Sequence, residues 1–168
     1  MQVNNMKRVN AIFSHPLYQA YYKRLEEAEH GRIFCRHQMT HFLDVARIAY
    51  IRSLEEGMSL DREVIYAAAL LHDIGKVLQY EEEIPHEISS EKIAAEILDS
   101  LTDESTFSET EKAMILTAIR GHRKLRKEPE ALERLLYESD KASRSCFACS
   151  AESQCDWSEE KKNKEIRI

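Results

Sequence analysis

The chain is organised around the stretch Ala67-Ala68-Ala69-Leu70-Leu71-His72-Asp73-Ile74-Gly75-Lys76. Its wholly apolar first half predicts the buried part of a helix, and Gly75 marks where that helix stops. The adjacent His72 and Asp73 then lie at a buried helix end, where polar groups without partners are energetically costly. A metal ion would satisfy both groups at once. Histidines and aspartates elsewhere in the chain are therefore the candidates to complete a metal site.

The remaining sequence predicts further helices and no strand of useful length. Glycine occurs four times and proline three times, which is typical of long helices with few turns. Apolar residues recur at helical spacing, and Ser108 with Glu111 forms a capping box. Helices are predicted at about residues 14–30, 36–56, 59–72, 86–101 and 108–121, and from residue 129 onward. The expected fold class is therefore all-α.

The length and composition predict one domain. The chain has 168 residues, of which 43% are hydrophobic and 32% charged, as in an ordinary globular protein. We expect a polar N-terminal arm at residues 1–13 and a compact helical domain at residues 14–144. A cysteine-rich C-terminal tail at residues 145–168 is expected to pack on this domain.

The charge balance and the apolar runs exclude several function classes. A net charge of −6 disfavours general binding to nucleic acids or to anionic membranes. No apolar run approaches the roughly 20 residues of a membrane span, and residues 1–8 lack the apolar core of a signal peptide. We therefore expect a cytoplasmic location, where the four cysteines would be thiols or metal ligands and not disulfides.

Three segments of the sequence carry a recognisable pattern of histidines and aspartates. They are His41-Phe42-Leu43-Asp44-Val45-Ala46, Ala68-Ala69-Leu70-Leu71-His72-Asp73-Ile74-Gly75-Lys76 and Leu136-Tyr137-Glu138-Ser139-Asp140-Lys141. In these segments the chain resembles the HD superfamily of metal-dependent phosphohydrolases, over about residues 36–144.

The resemblance implies a metal site, with one divalent ion held by His41, His72, Asp73 and Asp140. His37 lies one helical turn before His41 and is the alternative ligand at that position. Imidazole and carboxylate ligands suit Mn, Fe, Co, Ni or Zn. A mixed site with open positions favours hydrolysis over a structural role.

His86 and His122 resemble the two additional histidines of the two-metal HD branches, in which the aspartate of the pair bridges both ions. The nearest match in pattern is the branch that includes the symmetrical diadenosine-tetraphosphate hydrolases. In that branch a histidine follows a segment similar to Ala118-Ile119-Arg120-Gly121. The alternative is that both residues are ordinary polar groups at helix ends.

The reaction implied by the resemblance is hydrolysis of a phosphoester or phosphoanhydride, with a nucleotide as the expected substrate. A metal-bound hydroxide would attack phosphorus, Asp73 would bridge the metals or orient the hydroxide, and Lys76 would stabilise developing charge. Lys76, Arg123 and Lys124 are the expected contacts to this small anionic substrate. The basic residues after His122 could equally be a solvated helix end.

The tail contains Cys146, Cys149 and Cys155 at a spacing similar to metal or iron–sulfur loops. Three thiolates need a fourth partner, and Cys35 is the remaining cysteine in the chain. We expect these four residues to form a second, structural or cluster site that contains zinc or a [4Fe–4S] cluster. The alternative is four buried thiols that act as small apolar groups.

Two other functions are compatible with the same residues. The chain could be a metal- or redox-sensing module that binds a nucleotide without turnover, with the cysteines as the sensor. Two irons in the histidine–aspartate site could also serve oxygen chemistry, as in a rarer HD branch of oxygenases.

Overall fold

The computed structural model describes residues 6–166 and residue 168, and its regular structure is helical throughout. The part described contains eight α-helices: α1 (Lys7–Ser14), α2 (Pro16–Ala28), α3 (Met39–Glu55), α4 (Arg62–Leu71), α5 (Lys76–Glu82), α6 (His86–Ser100), α7 (Glu109–Gly121) and α8 (Ala131–Ala142). Short 3-10 turns occur at Asp103–Ser105, Cys146–Ala148, Glu152–Gln154 and Glu159–Lys161. The predicted all-α fold class is confirmed.

The apolar helix α4 lies at the centre of the fold. It packs against α3, α7, α1, α8 and α6, and the alanines at 67–69 are fully buried. A helix that is buried on all sides is apolar all round, which explains the run that precedes His72. Asp61 caps its start, because the Asp61 carboxylate accepts hydrogen bonds from the backbone N–H groups of Glu63 and Val64. This central position buries the His72-Asp73 pair at the helix end.

The N-terminal segment differs from the prediction of a polar arm. Residues 7–14 form α1, and Val9 and Ile12 are buried in the core against α4. Arg8 lies next to them and forms ion pairs with Asp61 and Glu63. Residues 7–13 are therefore helical and partly buried, and only two of their apolar side chains face the core, which is too few to reveal a helical period. Residues 1–5 of the expected arm lie outside the described residues.

The turn after α4 is fixed tightly against α6. The Gly75 N–H donates to Ser90 Oγ at 2.9 Å, and Ser89 Oγ donates to the Gly75 carbonyl oxygen at 2.9 Å. A Cβ atom at Gly75 would lie 2.6 Å from the backbone carbon of Ser89. Only glycine therefore permits this approach, which brings Asp73 and Lys76 close to the start of α6.

The tail lies against the end of α8. Asn163 Nδ2 donates to the carbonyl oxygens of Lys141 at 2.6 Å and Arg144 at 2.8 Å. Lys162, which is also buried, pairs with Glu152 at 2.9 Å.

Among the described helices, none has the combination of length and apolar character that a membrane crossing needs.

Candidate metal centre

Five buried histidines surround the buried carboxylate of Asp73. One precedes α3, one lies in its first turn, one follows α4, one opens α6 and one follows α7. In each case the Nε2 atom faces Asp73. The distances from Nε2 to a carboxylate oxygen of Asp73 are 3.6 Å for His37, 3.7 Å for His41, 3.1 Å for His72, 3.1 Å for His86 and 3.4 Å for His122.

Backbone carbonyls fix the orientation of two of these rings. His72 Nδ1 lies 2.6 Å from the Ala69 carbonyl oxygen, and His122 Nδ1 lies 2.6 Å from the Ile119 carbonyl oxygen. Because a carbonyl oxygen only accepts hydrogen bonds, both Nδ1 atoms carry a proton. In the neutral rings the Nε2 lone pairs then face inward, which is the arrangement of metal-binding histidines.

Side chains orient His37 and His41 in the same way. His37 Nδ1 donates to the buried Glu29 carboxylate at 2.6 Å. Ser143 Oγ donates to the Asp140 carbonyl oxygen at 2.8 Å, so it accepts from His41 Nδ1 at 3.2 Å. Both histidines therefore also direct an Nε2 lone pair toward Asp73 when they are neutral.

The opening residue of α6 completes the ring of histidines. His86 Nδ1 lies 2.5 Å from Gln79 Oε1, and His86 Nε2 lies 3.1 Å from His122 Nε2. If the Nδ1 atoms of His86 and His122 each carry the proton of a neutral ring, the Nε2 lone pairs of the two rings face each other across this short distance. A cation between the two rings removes that repulsion.

The centre also contains buried polar atoms with unmet bonding capacity. His41 Nε2, His72 Nε2 and Asp73 Oδ1 are buried and make no hydrogen bond among the described residues. Ligand atoms of two residue sets lie within 4.8 Å of one another: His41, His72, Asp73 and Asp140 form the first set, and Asp73, His86 and His122 form the second. Because buried polar atoms are normally bonded, these residues fit divalent metal ions, and Asp73 is common to both sets.

Electrostatics keep the carboxylates ionised. Burial raises the pKa of Asp73, but the surrounding imidazoles, His72 above all, hold that pKa well below its usual range. Burial likewise raises the pKa of Asp140, and Arg144 is the main group that holds it well below its usual range. Arg144 Nη2 lies 3.0 Å from Asp140 Oδ1, and Lys141 Nζ lies 2.7 Å from Oδ2.

The pKa of His72 indicates how the centre balances its charge without a metal. Burial lowers this pKa, but the nearby Asp73 and Asp140 carboxylates raise it to about 10. The two carboxylates therefore favour a positive charge at this position. A divalent ion bound by the same residues supplies positive charge there, because metal ligands bind in their deprotonated form.

A pocket of about 330 Å³ opens directly onto this centre. Five cationic side chains line it: Arg32, Lys76, Arg123, Lys141 and Arg144. Phe34 and Trp157 add aromatic surface, and Trp157 comes from the tail. The volume is at the lower end of the range for small-molecule sites, and the charge favours an anionic ligand.

The structure separates the predicted substrate contacts. Lys76 and Arg123 line the pocket beside the metal centre. Lys124 instead lies in a different depression, with Glu91 and Glu133. The expected contact from Lys124 therefore has no support in the geometry, because the chain turns at the end of α7 and directs consecutive side chains to different sides.

Several residues of the site were not predicted from the sequence. The sequence indicates His37 only as an alternative to His41, whereas the structure directs both rings toward Asp73. Arg144 lies one turn after Asp140, a spacing that favours an ion pair and was a usable signal. No pattern in the sequence around Glu29 or Arg32 indicates a role in the site, because their positions there depend on tertiary packing.

Comparison with known proteins agrees with this geometry. A family model described as HD domain matches residues 39–145, which include both sets of candidate ligands. The chain belongs to the HD superfamily. This HD-domain chain is accordingly a metal-dependent phosphohydrolase, and its buried histidine–aspartate cluster is a site for divalent metal.

Two similar proteins extend the comparison. An uncharacterized protein of Clostridium beijerinckii (strain ATCC 51743 / NCIMB 8052) is 45% identical over 161 residues, which cover 96% of this chain and 99% of the relative. The crystal structure of a predicted HD superfamily hydrolase from an uncultured Thermotogales bacterium has a TM-score of 0.64 at 19% identity. That match covers 89% of this chain and 81% of the other, and it shows the same fold.

Proposed function

We propose that this HD-domain chain hydrolyses a phosphoester or phosphoanhydride bond in a small nucleotide, using two divalent metal ions that share Asp73. The observation that carries the proposal is the presence of two ligand sets with Asp73 in common, at the base of a cationic pocket. The proposed ligands are His41, His72, Asp73 and Asp140 for one ion, and Asp73, His86 and His122 for the other.

The metals and the protein side chains have different roles in the proposed hydrolysis. When bound, Mn, Fe, Co, Ni or Zn ions at this site supply Lewis-acid polarisation of the phosphoryl group and lower the pKa of a coordinated water. Asp73 orients the attacking water as a hydrogen-bond acceptor. Lys76 and Arg123 bind the phosphate oxygens and stabilise the negative charge that grows during attack.

Lys76 is well placed for this role. Its side chain is partly buried, and burial lowers the pKa of its ammonium group while Asp73 opposes that effect. Its Nζ lies 3.4 Å from Gln79 Oε1 and 3.2 Å from His86 Nδ1, so it is held between the metal centre and the pocket. A cation in a partly dry site stabilises a phosphate more strongly than one in water.

The pocket lining supports a nucleotide over a simple phosphate ester. Lys141 and Arg144 are paired with Asp140, which leaves Arg32, Lys76 and Arg123 for the substrate. Three cations exceed the need of one phosphoryl group and suit a chain of phosphates. The Phe34 and Trp157 rings offer surfaces on which an aromatic base can stack. The same combination of groups suits a dinucleoside polyphosphate, as the resemblance to that HD branch implies.

The test is a metal-resolved activity screen. Metal-free protein is reloaded with Mn, Fe, Co, Ni or Zn, and phosphate release is measured from p-nitrophenyl phosphate, nucleotides and dinucleoside polyphosphates. Asp73→Ala is expected to lose both hydrolysis and metal at the centre, because both ligand sets lose their shared member. Asp44→Ala, on the exposed side of α3, is the matched control and should retain both. An active, metal-replete Asp73→Ala protein would falsify the proposal.

A further inference from the structure

The four cysteines of the chain meet at one small cavity beside the active pocket. Cys35, Cys146, Cys149 and Cys155 line this cavity together with Phe34, Glu152 and Lys162. Cys35 lies between α2 and α3, whereas the other three follow α8. All four are free thiols. The fold therefore gathers every cysteine from two distant parts of the sequence.

The tail has little apolar burial of its own. Among the described residues after Ser145, Ala151 is the one buried apolar side chain. Its regular structure consists of three-residue 3-10 turns, such as the one that joins the Cys149 N–H to the Cys146 carbonyl oxygen at 3.2 Å. A segment that buries so little apolar surface usually needs a covalent or metal crosslink to hold one conformation.

The spacing of the sulfur atoms indicates the kind of crosslink. Four thiolates around one zinc ion, each at about 2.3 Å, would lie about 3.8 Å from one another. Among the described residues, the sets of three or more ligand atoms within 4.8 Å of one another are the two at the histidine–aspartate centre. No three of the four sulfurs are therefore as close as one zinc requires. In a [4Fe–4S] cluster each of the four cysteines binds a different iron, which separates the cysteine sulfurs further.

We propose that Cys35, Cys146, Cys149 and Cys155 ligate a [4Fe–4S] cluster that fixes the tail against the domain. Cys146 and Cys155 also line the active pocket, as do Asp156 and Trp157 next to them. The cluster thus holds one wall of that pocket in place. The effect on substrate binding depends on the proposed nucleotide hydrolysis, but the presence of the cluster does not.

The experiment measures iron, acid-labile sulfide and visible absorption after anaerobic reconstitution with ferrous iron and sulfide. Cys35→Ser and Cys149→Ser remove one ligand from each side of the cavity, and Ser150→Ala changes an exposed neighbour as the matched control. Wild type and Ser150→Ala are expected to bind sulfide and iron at about 1:1, beyond the iron at the histidine–aspartate centre. Both cysteine variants are expected to lose the sulfide and the colour and to retain metal at the histidine–aspartate centre.

Two outcomes would overturn the proposal: wild-type protein without bound sulfide, or zinc that depends on the cysteines and replaces it. Alkylation of the native wild type, mapped by mass spectrometry, provides a readout that no folding defect of a variant can confuse. The cluster is expected to protect all four thiols, and ready alkylation of the sulfide-loaded protein contradicts the proposed cluster.

If a substrate is found, Cys149→Ser should raise KM several-fold with little change in kcat. Absence of turnover would leave the sulfide result intact.

Discussion

Replacing Gly75 with alanine tests the close contact between the turn after α4 and helix α6. The new Cβ atom would lie 2.5 Å from Ser89 Oγ and 2.6 Å from the Ser89 backbone carbon, and it would also meet the Ser90 backbone nitrogen. The serine hydroxyl can rotate away, but the backbone atoms cannot. Helix α6 must therefore move away from the turn.

The expected cost follows from two contributions. Overpacking of a tight contact destabilises by about 1–3 kcal/mol. Moving α6 also weakens the hydrogen bonds that Gly75 makes with Ser89 and Ser90, each worth about 0.5–1.5 kcal/mol. Alanine recovers about 0.4–1 kcal/mol because it restricts the unfolded chain. We expect Gly75→Ala to lower the free energy of unfolding by about 3 kcal/mol.

The assay is urea unfolding followed by circular dichroism, with Gly31→Ala as the matched control. No atom lies within 4 Å of a Cβ at Gly31, so the free energy of unfolding of the Gly31→Ala protein should be unchanged or slightly higher. Because α6 begins with His86, the Gly75 variant should also bind metal more weakly at the ligand set that contains this histidine. A Gly75→Ala protein within 0.5 kcal/mol of Gly31→Ala would refute the assigned contact.

Two further predictions concern the site. Glu29→Ala removes the acceptor of three hydrogen bonds, so it should destabilise the fold by about 2–4 kcal/mol in thermal or urea unfolding. The exposed Glu27→Ala, two residues before Glu29, should change stability by less than about 0.5 kcal/mol, and equal effects would contradict the role of Glu29. Arg123→Ala should raise KM for the best phosphorylated substrate about tenfold in steady-state kinetics, because it removes a charged contact in the pocket. Lys124→Ala should leave KM within about twofold of wild type, and the reverse order would contradict the placement of the two side chains.

The central helix and the His72-Asp73 pair at its end could be predicted because their signals are local, whereas the other candidate ligands were indicated only by the resemblance of three separate segments to the HD superfamily. A continuous apolar run followed by His72 and Asp73 indicates a buried helix end, and the structure contains one there. The capping box at Ser108 is present as expected. Such signals depend on neighbouring residues and not on the packing of distant segments.

Other features depend on tertiary contacts that the sequence does not encode locally. Helix α1 is anchored by only two buried apolar residues and by the ion pairs of Arg8. Helix α2 begins at Pro16 and not at about residue 14 as predicted, because Ser14 ends the preceding helix and His15 is the cap of α2. Glu29 is buried only because His37 and Tyr80 donate to it. In each case the local structure depends on contacts with residues that the local sequence pattern does not indicate.

The two candidate ligand sets come from five separate elements, from α3 to α8, and no short segment contains one set. An unfolded chain cannot bring these groups together, so metal binds the native state selectively and stabilises it. A thousandfold excess of free metal over the dissociation constant adds about 4 kcal/mol to the free energy of unfolding. Copies without metal unfold more often and are more exposed to proteases. We therefore expect loss of the metal to shorten the lifetime of the protein.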